Sequence, residues 1–129
     1  MTKRCIIAAN APPAAGPYSH AVITGGFVFV SGQGCVVPGG GRLRNESFEQ
    51  EVRQTLENVK SCLEAAGCGM EHVVKTTVYL ADMNEFAEMN RIYQEYFPSE
   101  PPARTTVQVA RLPLDFRIEI DAIAALPRS

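Results

Sequence analysis

The chain has 129 residues, 46% of them hydrophobic and 20% charged, with a formal net charge of −2. This composition is typical of one globular domain, and it excludes a fibrous or extensively disordered chain. The balance of charge gives no overall attraction to nucleic acid or to an anionic membrane, and no stretch approaches the roughly 20 apolar residues that span a bilayer. We expect one domain over residues 1–129, cytoplasmic or alternatively mitochondrial, with no nucleic acid or membrane partner.

The amino-terminal third predicts a short strand followed by a hairpin. Residues 5–9 (CIIAA) are typical of a strand, and the three prolines of residues 10–17 predict a loop, because proline fixes φ and lacks an amide donor. The Gly25–Gly26 pair separates two apolar arms, residues 18–24 and 27–32. A two-residue glycine connection favours the primed turns of β-hairpins.

The second arm of this hairpin has no polar face. Phe27 and Phe29 take one side of the strand, whereas Val28 and Val30 take the other. Strands of this kind are usually covered on both sides, so we expect a cover for each face.

A first helix follows. Ser47 and Gln50 have the spacing of a capping box, and we expect Gly67 or Gly69 to end the helix. Apolar residues recur at three or four positions along it, as in a helix that packs on a core: Phe48, Val52, Leu56, Val59 and Leu63.

The next segments predict a strand and a second helix. Residues 72–81 (HVVKTTVYLA) are rich in β-branched residues and predict a strand. Asp82 or Asn84 can cap the second helix, which we expect to end at Pro98. Its apolar positions again have helical spacing: Phe86, Met89, Tyr93 and Phe97.

The last third predicts two strands, residues 104–110 and 116–122, joined by a turn at residues 111–115 (RLPLD). We expect this turn to bring the final strand back antiparallel beside the penultimate one, so that Glu119 lies near Arg104. The final strand alternates apolar and charged residues, and alternation alone favours a solvated face. An arginine beside a glutamate can form an ion pair only, or the arginine can bind a carboxylate while the glutamate moves protons. The sequence leaves both readings open.

These elements predict an α+β fold in which two helices cover one face of a mixed, single-layer sheet of about six strands. The other face is left without a cover. We expect it to pack against further copies of the chain in a symmetric homo-oligomer. The alternative is a monomer whose sheet curls and closes on itself.

Several common sites are absent from the sequence. Residues 31–41 (SGQGCVVPGGG) fail the dinucleotide-binding pattern, and there is neither a phosphate-binding loop nor a serine-hydrolase elbow. The four cysteines lie far apart without zinc-site spacing, so we expect reduced structural thiols, with a redox pair of Cys62 and Cys68 as the minor alternative. His20 follows Ser19 directly, and strand neighbours point to opposite faces, so we interpret His20 as structural or exposed. No cofactor and no metal is expected.

Six segments, taken in order, resemble the Rid family of imine deaminases across nearly the whole chain. These are residues 11–22, 27–33, 64–68, 73–97, 101–113 and 117–124, and they include GPYS, SGQ, PPAR and RIEID. The resemblance implies a chorismate-mutase-like fold and a homotrimer with active sites in the clefts between subunits. It also implies hydrolysis of 2-iminopropanoate and 2-iminobutanoate to the 2-oxo acid and ammonia.

The resemblance further implies which residues form the site. Arg104 would bind the substrate carboxylate, and Glu119 would be the acidic catalytic residue. The remaining substrate-binding positions would be Tyr18, Ser31, Gly32 and Asn90. Two positions depart from the family pattern: Thr106 stands where many bacterial relatives have cysteine, and His20 replaces a common glutamine.

Two other functions compete with this one. A non-catalytic trimer could bind small carboxylates or protein partners in the same clefts, because folds host many functions. The resemblance also brings in an endoribonuclease or translation inhibitor. The acidic balance, the lack of a basic aromatic platform and the absence of a histidine pair argue against RNA cleavage.

Overall fold

A computed structural model of the chain describes residues 2–43 and 46–127. In these residues two α-helices pack on a mixed sheet of six strands, which confirms the predicted α+β class. In chain order the elements are β1 (Arg4–Ile6), β2 (Ala21–Thr24), β3 (Phe27–Gln33), α1 (Phe48–Ala65), β4 (Val73–Leu80), α2 (Phe86–Tyr96), β5 (Ala103–Gln108) and β6 (Ile118–Ala125). None of the helices in the two described ranges is long and apolar enough to cross a membrane.

The hairpin of β2 and β3 forms as predicted. Gly25 and Gly26 have φ values of 59° and 82°, which suit the primed turn that connects two twisted strands. The first strand is shorter than the predicted residues 5–9, because it ends at Ile6. The chain then leaves the sheet, and the amide of Ala8 donates to Nδ1 of His20 over 2.9 Å.

Helix α1 begins and ends at the predicted signals. The Ser47 hydroxyl accepts from the Gln50 amide, and the Gln50 side chain accepts from the Ser47 amide, which completes the capping box. Gly67, with φ of 90°, ends the helix, and the Cys68 amide donates back to the Leu63 carbonyl over 3.0 Å. All five predicted stripe residues are buried.

Helix α2 is preceded by a short 3₁₀ turn over Met83–Glu85. The Asp82 carboxylate accepts from the Asn84 amide, so Asp82 caps this turn and the α-helix starts at Phe86. The helix ends at Tyr96, and Phe97 is already non-helical before Pro98.

The order of the strands corrects one expectation. The sheet runs β1-β2-β3-β6-β4-β5, so β6 lies between β3 and β4 and does not touch β5. Strand β5 pairs with β4 in parallel, and the segment after it crosses the end of β4 before β6 begins. The predicted antiparallel direction of the last two strands is right, but their adjacency is wrong. Parallel pairing with β4 satisfies the backbone hydrogen-bonding groups of β5, and the local sequence of β5 does not indicate this partner strand.

One face of the sheet carries the core, and the other is open in the single chain. Val28 is fully buried and Val30 is 4% exposed, because both pack toward the helices. Their neighbours Phe27 and Phe29 remain 44% and 41% exposed on the opposite side. The predicted uncovered face is therefore present and is apolar at β3. We call it the open face, in contrast to the helix face.

Candidate functional site

Arg104 lies on the helix face at the free edge of the sheet. It is paired in register with Thr76 of β4, whose hydroxyl meets the Tyr93 hydroxyl at 2.7 Å. The guanidinium carbon is 4.8 Å from the centre of the Tyr93 ring and 5.5 Å from that of Phe86, distances at which a cation is attracted to the ring face. These rings support the guanidinium without neutralising it. Within residues 2–43 and 46–127, Arg104 forms no ion pair, whereas Arg42, Arg53, Arg91, Arg111 and Arg117 all do.

The cavity in front of this side chain, which we call the Arg104 cleft, measures about 780 Å³. Its lining comes from the C-terminal half of α2, the proline-rich segment 97–102 and β5: Asn90, Tyr93, Gln94, Phe97, Pro98, Pro101, Pro102 and Arg104. Phe86, Asn90 and Tyr93 are spaced so that they share one face of α2. The cleft therefore has an aromatic floor and one fixed cation.

Two buried polar atoms accompany this cation. Among residues 2–43 and 46–127, Oδ1 of Asn90 and Oγ1 of Thr106 have no hydrogen-bond partner. Thr106 is on the same face of β5 as Arg104, two residues further along. Because buried polar atoms are normally paired, both atoms represent hydrogen-bonding capacity that the fold itself does not use.

A second cavity, which we call the Glu119 cavity, measures about 600 Å³ and contains four of the predicted site residues. These are Tyr18, Ser31, Gly32 and Glu119. A β-bulge shapes it, since the register between β3 and β6 shifts by one residue between Val30 and Gln33. Bulges of this kind re-aim side chains next to sites. The Ser31 hydroxyl donates to the Ser19 carbonyl over 2.6 Å, which fixes the bulge to the loop before β2.

The carboxyl group of Glu119 is half-buried on the open face. Burial raises its pKa above the ordinary value near 4.5, and the nearby Asp121 carboxylate raises it further. Asp121 itself accepts a hydrogen bond of 3.0 Å from the Tyr79 hydroxyl. A carboxyl group with a raised pKa in a cavity has the properties of a general base or acid.

The loops around the Glu119 cavity are held by polar residues of α1 that sequence reasoning missed. Glu51, only 3% exposed, pairs with Arg42 at 3.0 Å and with Arg117, whose Nε donates over 2.7 Å. Asn58 donates to the carbonyls of Gly34 and Val36 over 2.8 and 2.7 Å. Their position on the helix could have indicated these roles. Glu51 lies on the same face of α1 as the apolar stripe, and a polar residue on a buried face needs a buried partner.

The predicted site residues thus divide into two groups. Arg104 and Asn90 line one cavity, whereas Tyr18, Ser31, Gly32 and Glu119 line the other. Glu119 is paired in register with Tyr79 on the open face, whereas Arg104 is paired with Thr76 on the helix face. The expectation that Glu119 lies near Arg104 is therefore wrong for a single chain, because β4 separates their strands and their side chains leave opposite faces.

His20 and the cysteines are structural. His20 is 3% exposed, its Nδ1 accepts from the Ala8 amide, and its Nε2 donates to the Pro12 carbonyl over 2.6 Å. All four cysteines are free thiols, and only Cys5 is exposed. Burial raises the pKa of Cys62 to about 12 and also raises that of Cys68, which disfavours a redox pair. Among the described residues, no cluster of three His, Cys, Asp or Glu side chains could hold a metal ion.

Comparisons with known proteins agree with this architecture. The family model for endoribonuclease L-PSP matches residues 8–126. A RutC family protein of Pyrococcus horikoshii is 49% identical over 95% of this chain and 97% of its own. The human 2-iminobutanoate/2-iminopropanoate deaminase is 47% identical over 96% of this chain and 90% of its own. The crystal structure of E. coli TdcF with bound serine superposes with a TM-score of 0.89 at 41% identity, covering 98% of this chain and 99% of that one.

Proposed function

This chain belongs to the endoribonuclease L-PSP (Rid) family, and we propose that it hydrolyses the C=N bond of small 2-imino acids. The substrates would be 2-iminopropanoate and 2-iminobutanoate, and the products the 2-oxo acid and ammonia. The names of its human, goat, cattle and mouse relatives support this activity. The observation that carries the proposal is the Arg104 guanidinium, which forms no ion pair with the other described residues and which two aromatic rings hold at the wall of a cavity.

Arg104 would bind the substrate carboxylate. A guanidinium can donate two parallel charge-assisted hydrogen bonds to a carboxylate, which fixes both position and orientation. The adjacent carbon of the imine would then be held in one orientation, with one face open to water. Oδ1 of Asn90, which has no hydrogen-bond partner among the described residues, would accept a hydrogen bond from an N–H group of the substrate.

Glu119 would act as the general base and acid. Its carboxylate would accept a proton from water as the water oxygen adds to the imine carbon, and it would then donate that proton to the imine nitrogen, which gives a carbinolamine. The carboxylate would next take the hydroxyl proton of the carbinolamine and pass it to the amine as the C–N bond breaks, which releases ammonia and leaves the 2-oxo acid. Tyr18, Ser31 and Gly32 would contact the substrate from the same cavity. Catalysis of this type contributes about 10²- to 10⁴-fold, which suits an imine that already hydrolyses in water.

A second copy of the chain is needed to bring these groups together. Because Arg104 and Glu119 leave opposite faces of the sheet, the Arg104 cleft of one copy would face the Glu119 cavity of the next. We propose a homotrimer that buries the open face and forms three such clefts. The exposed Phe27 and Phe29 supply an apolar surface for this contact.

The activity is tested by coupling the purified protein to a threonine dehydratase. Semicarbazide competes for the imine, and formation of the semicarbazone is followed by absorbance. We expect the protein to lower semicarbazone formation from 2-iminobutanoate while 2-oxobutanoate still accumulates. Unchanged semicarbazone formation at a protein concentration equal to that of the dehydratase would reject the proposal.

The shared cleft is tested by mixing two inactive variants, Arg104→Ala and Glu119→Gln, after subunit exchange. If each site takes Arg104 from one copy and Glu119 from its neighbour, about a quarter of the sites in an equimolar ring regain both groups. We therefore expect roughly that fraction of the original activity to return. No return of activity in mixtures whose exchange is verified by mass spectrometry would contradict a site formed by two copies.

Binding without turnover is the second candidate, and the Arg104 cleft suits it equally well, since a carboxylate of any small acid fits a guanidinium. Calorimetric titration with 2-oxobutanoate would then saturate, while the coupled assay would stay unchanged. The family name also includes endoribonuclease. Both ring nitrogens of His20 are bonded to the backbone, so the geometry of the described residues does not favour RNA cleavage by this histidine.

A further inference from the structure

The two glycines of the SGQG segment, Gly32 and Gly34, lie at the bulge of β3 and just after it. Glycine is often required where φ is positive, as at Gly25 and Gly26. Neither Gly32 nor Gly34 has a positive φ, so other residues could adopt their backbone conformation. Another requirement must select glycine at these positions.

Both glycines lack room for a side chain. A Cβ atom on Gly32 would overlap Oε2 of Glu119 and lie 3.0 Å from its Cδ. A Cβ atom on Gly34 would overlap the ring of Phe116 and lie 2.7 Å from its Cζ. Real Cβ atoms do not approach other heavy atoms this closely, because van der Waals contact between carbons begins near 3.5 Å. The carboxylate of Glu119 therefore rests directly on the bare backbone of the bulge.

We propose that Gly32 is a positioning residue, whose missing side chain sets the place of the Glu119 carboxylate in its cavity. The inference rests on the proposed catalytic role of Glu119. The bulge places two residues of β3, Ser31 and Gly32, opposite the single residue Asp121 of β6. The carboxylate occupies the space that a side chain at position 32 would fill.

The two glycines differ in what a methyl group would displace. At Gly32 the displaced group is the end of a flexible side chain, which can rotate away while the backbone stays in place. At Gly34 it is the ring of Phe116, which is 6% exposed and packs in a small cluster with Cys35 and Leu112. We therefore expect Gly34→Ala to lower stability, because overpacking strains a core. Gly32→Ala should mainly displace the catalytic group.

The kinetic test compares Gly32→Ala with Gly39→Ala. Gly39 has no heavy atom near its Cβ position and no positive φ, so alanine there is a matched control. With 2-iminobutanoate generated by an amino-acid oxidase, we expect Gly32→Ala to lower kcat about 10²-fold, as for loss of general acid-base catalysis. Its KM should change much less than its kcat, because Arg104, the proposed carboxylate-binding group, is untouched. Unchanged kcat would overturn the proposal.

A rescue experiment separates positioning from a general structural role. Aspartate is one methylene shorter than glutamate, so its carboxylate can remain in the cavity beside an alanine at position 32. We expect Glu119→Asp to lower the activity of the unmodified protein but to raise that of Gly32→Ala. Losses that simply add in the double variant would mean that the two positions act independently, which contradicts the proposal.

Crystal structures of the unmodified protein and of Gly32→Ala test the inference without a measurement of activity. We expect the backbone of β3 to superpose and the Glu119 carboxylate to be displaced. A carboxylate that stays in place beside the new methyl group would overturn the positioning role. If the unmodified protein hydrolyses no imine, the proposed function fails, while these two structures still decide whether Gly32 positions Glu119.

Discussion

The Arg104 cleft and the Glu119 cavity are built in different ways. Arg104 projects from a strand, and a helix supplies the two rings beneath it. Glu119 lies in a cavity made by a bulge and three loops, which Glu51 and Asn58 hold from beneath. A guanidinium is charged at every relevant pH, so it needs only a fixed orientation to bind a carboxylate. A carboxyl group that exchanges protons needs a tuned environment, and desolvation by surrounding loops provides it.

The largest effect should come from the fixed cation. If Arg104 binds the substrate carboxylate as proposed, Arg104→Ala removes two charge-assisted hydrogen bonds, each worth about 1.5–3 kcal/mol, and kcat/KM should fall about 10²- to 10⁴-fold. Arg104→Lys keeps the charge but not the fork, and should recover only part of the loss. The coupled imine assay measures both. Arg91→Ala, on the outer side of α2 and paired with Glu49, is the control. Equal activity of the alanine and lysine variants would show that charge alone is unimportant.

The next effect tests whether the Glu119 cavity depends on its buried ion pairs. Glu51→Gln leaves Arg42 and Arg117 without their shared carboxylate, and breaking a buried pair typically costs about 3–5 kcal/mol. We expect the free energy of unfolding in urea to fall by about 3 kcal/mol, since Arg117 is partly exposed. The control Glu49→Gln also loses two arginine partners, Arg53 and Arg91, but at the surface. Similar losses in both variants would contradict a special role for burial.

A smaller effect should appear in the pH dependence of the rate. Burial and then Asp121 raise the pKa of Glu119, and a general base works only when deprotonated. Activity should therefore be present above this raised pKa and be lost as the pH falls through it. Asp121→Asn removes the neighbouring charge and keeps an acceptor for Tyr79, so the acid limb of the profile should move to lower pH. An acid limb that does not move would assign the titration to another group.

The smallest effect concerns Thr106, which lies two residues after Arg104 on the same face of β5. Its buried Oγ1 has no hydrogen-bond partner in the part of the chain that the structure describes, and valine has nearly the same shape without the hydroxyl. Replacing an unpaired buried hydroxyl by a methyl group is nearly neutral or slightly stabilising, so Thr106→Val should change the free energy of unfolding by less than about 0.5 kcal/mol. Urea unfolding measures this change. A loss above 1 kcal/mol would indicate a hydrogen bond that stabilises the fold.

Local signals in the sequence predicted most elements of the fold. The Gly25–Gly26 turn, the capping box at Ser47 and the end of α1 at Gly67 are each decided by a few neighbouring residues. The strand order failed at β5, because its parallel partner β4 is far away in sequence and the hydrophobic pattern of an edge strand does not specify a partner.

The site was only half predictable for a related reason. The resemblance identified Arg104 and Glu119, and the structure gives each a suitable cavity. Which face each side chain takes depends on register, and register here includes a bulge that shifts one residue at Ser31 and Gly32. The buried roles of Glu51 and Asn58 depend on loops that fold over them from distant parts of the chain.

The distribution of the thiols has a practical consequence. Burial of Cys35 raises its pKa to about 11, and Cys62 and Cys68 are also buried, whereas Cys5 is exposed and is paired in register with Val22 on the open face. In a separated chain, a maleimide dye at neutral pH should therefore attach to Cys5 alone, whereas the proposed assembly would cover this thiol. The labelling rate should then rise as the protein is diluted, and its dependence on concentration would give the dissociation constant of the assembly.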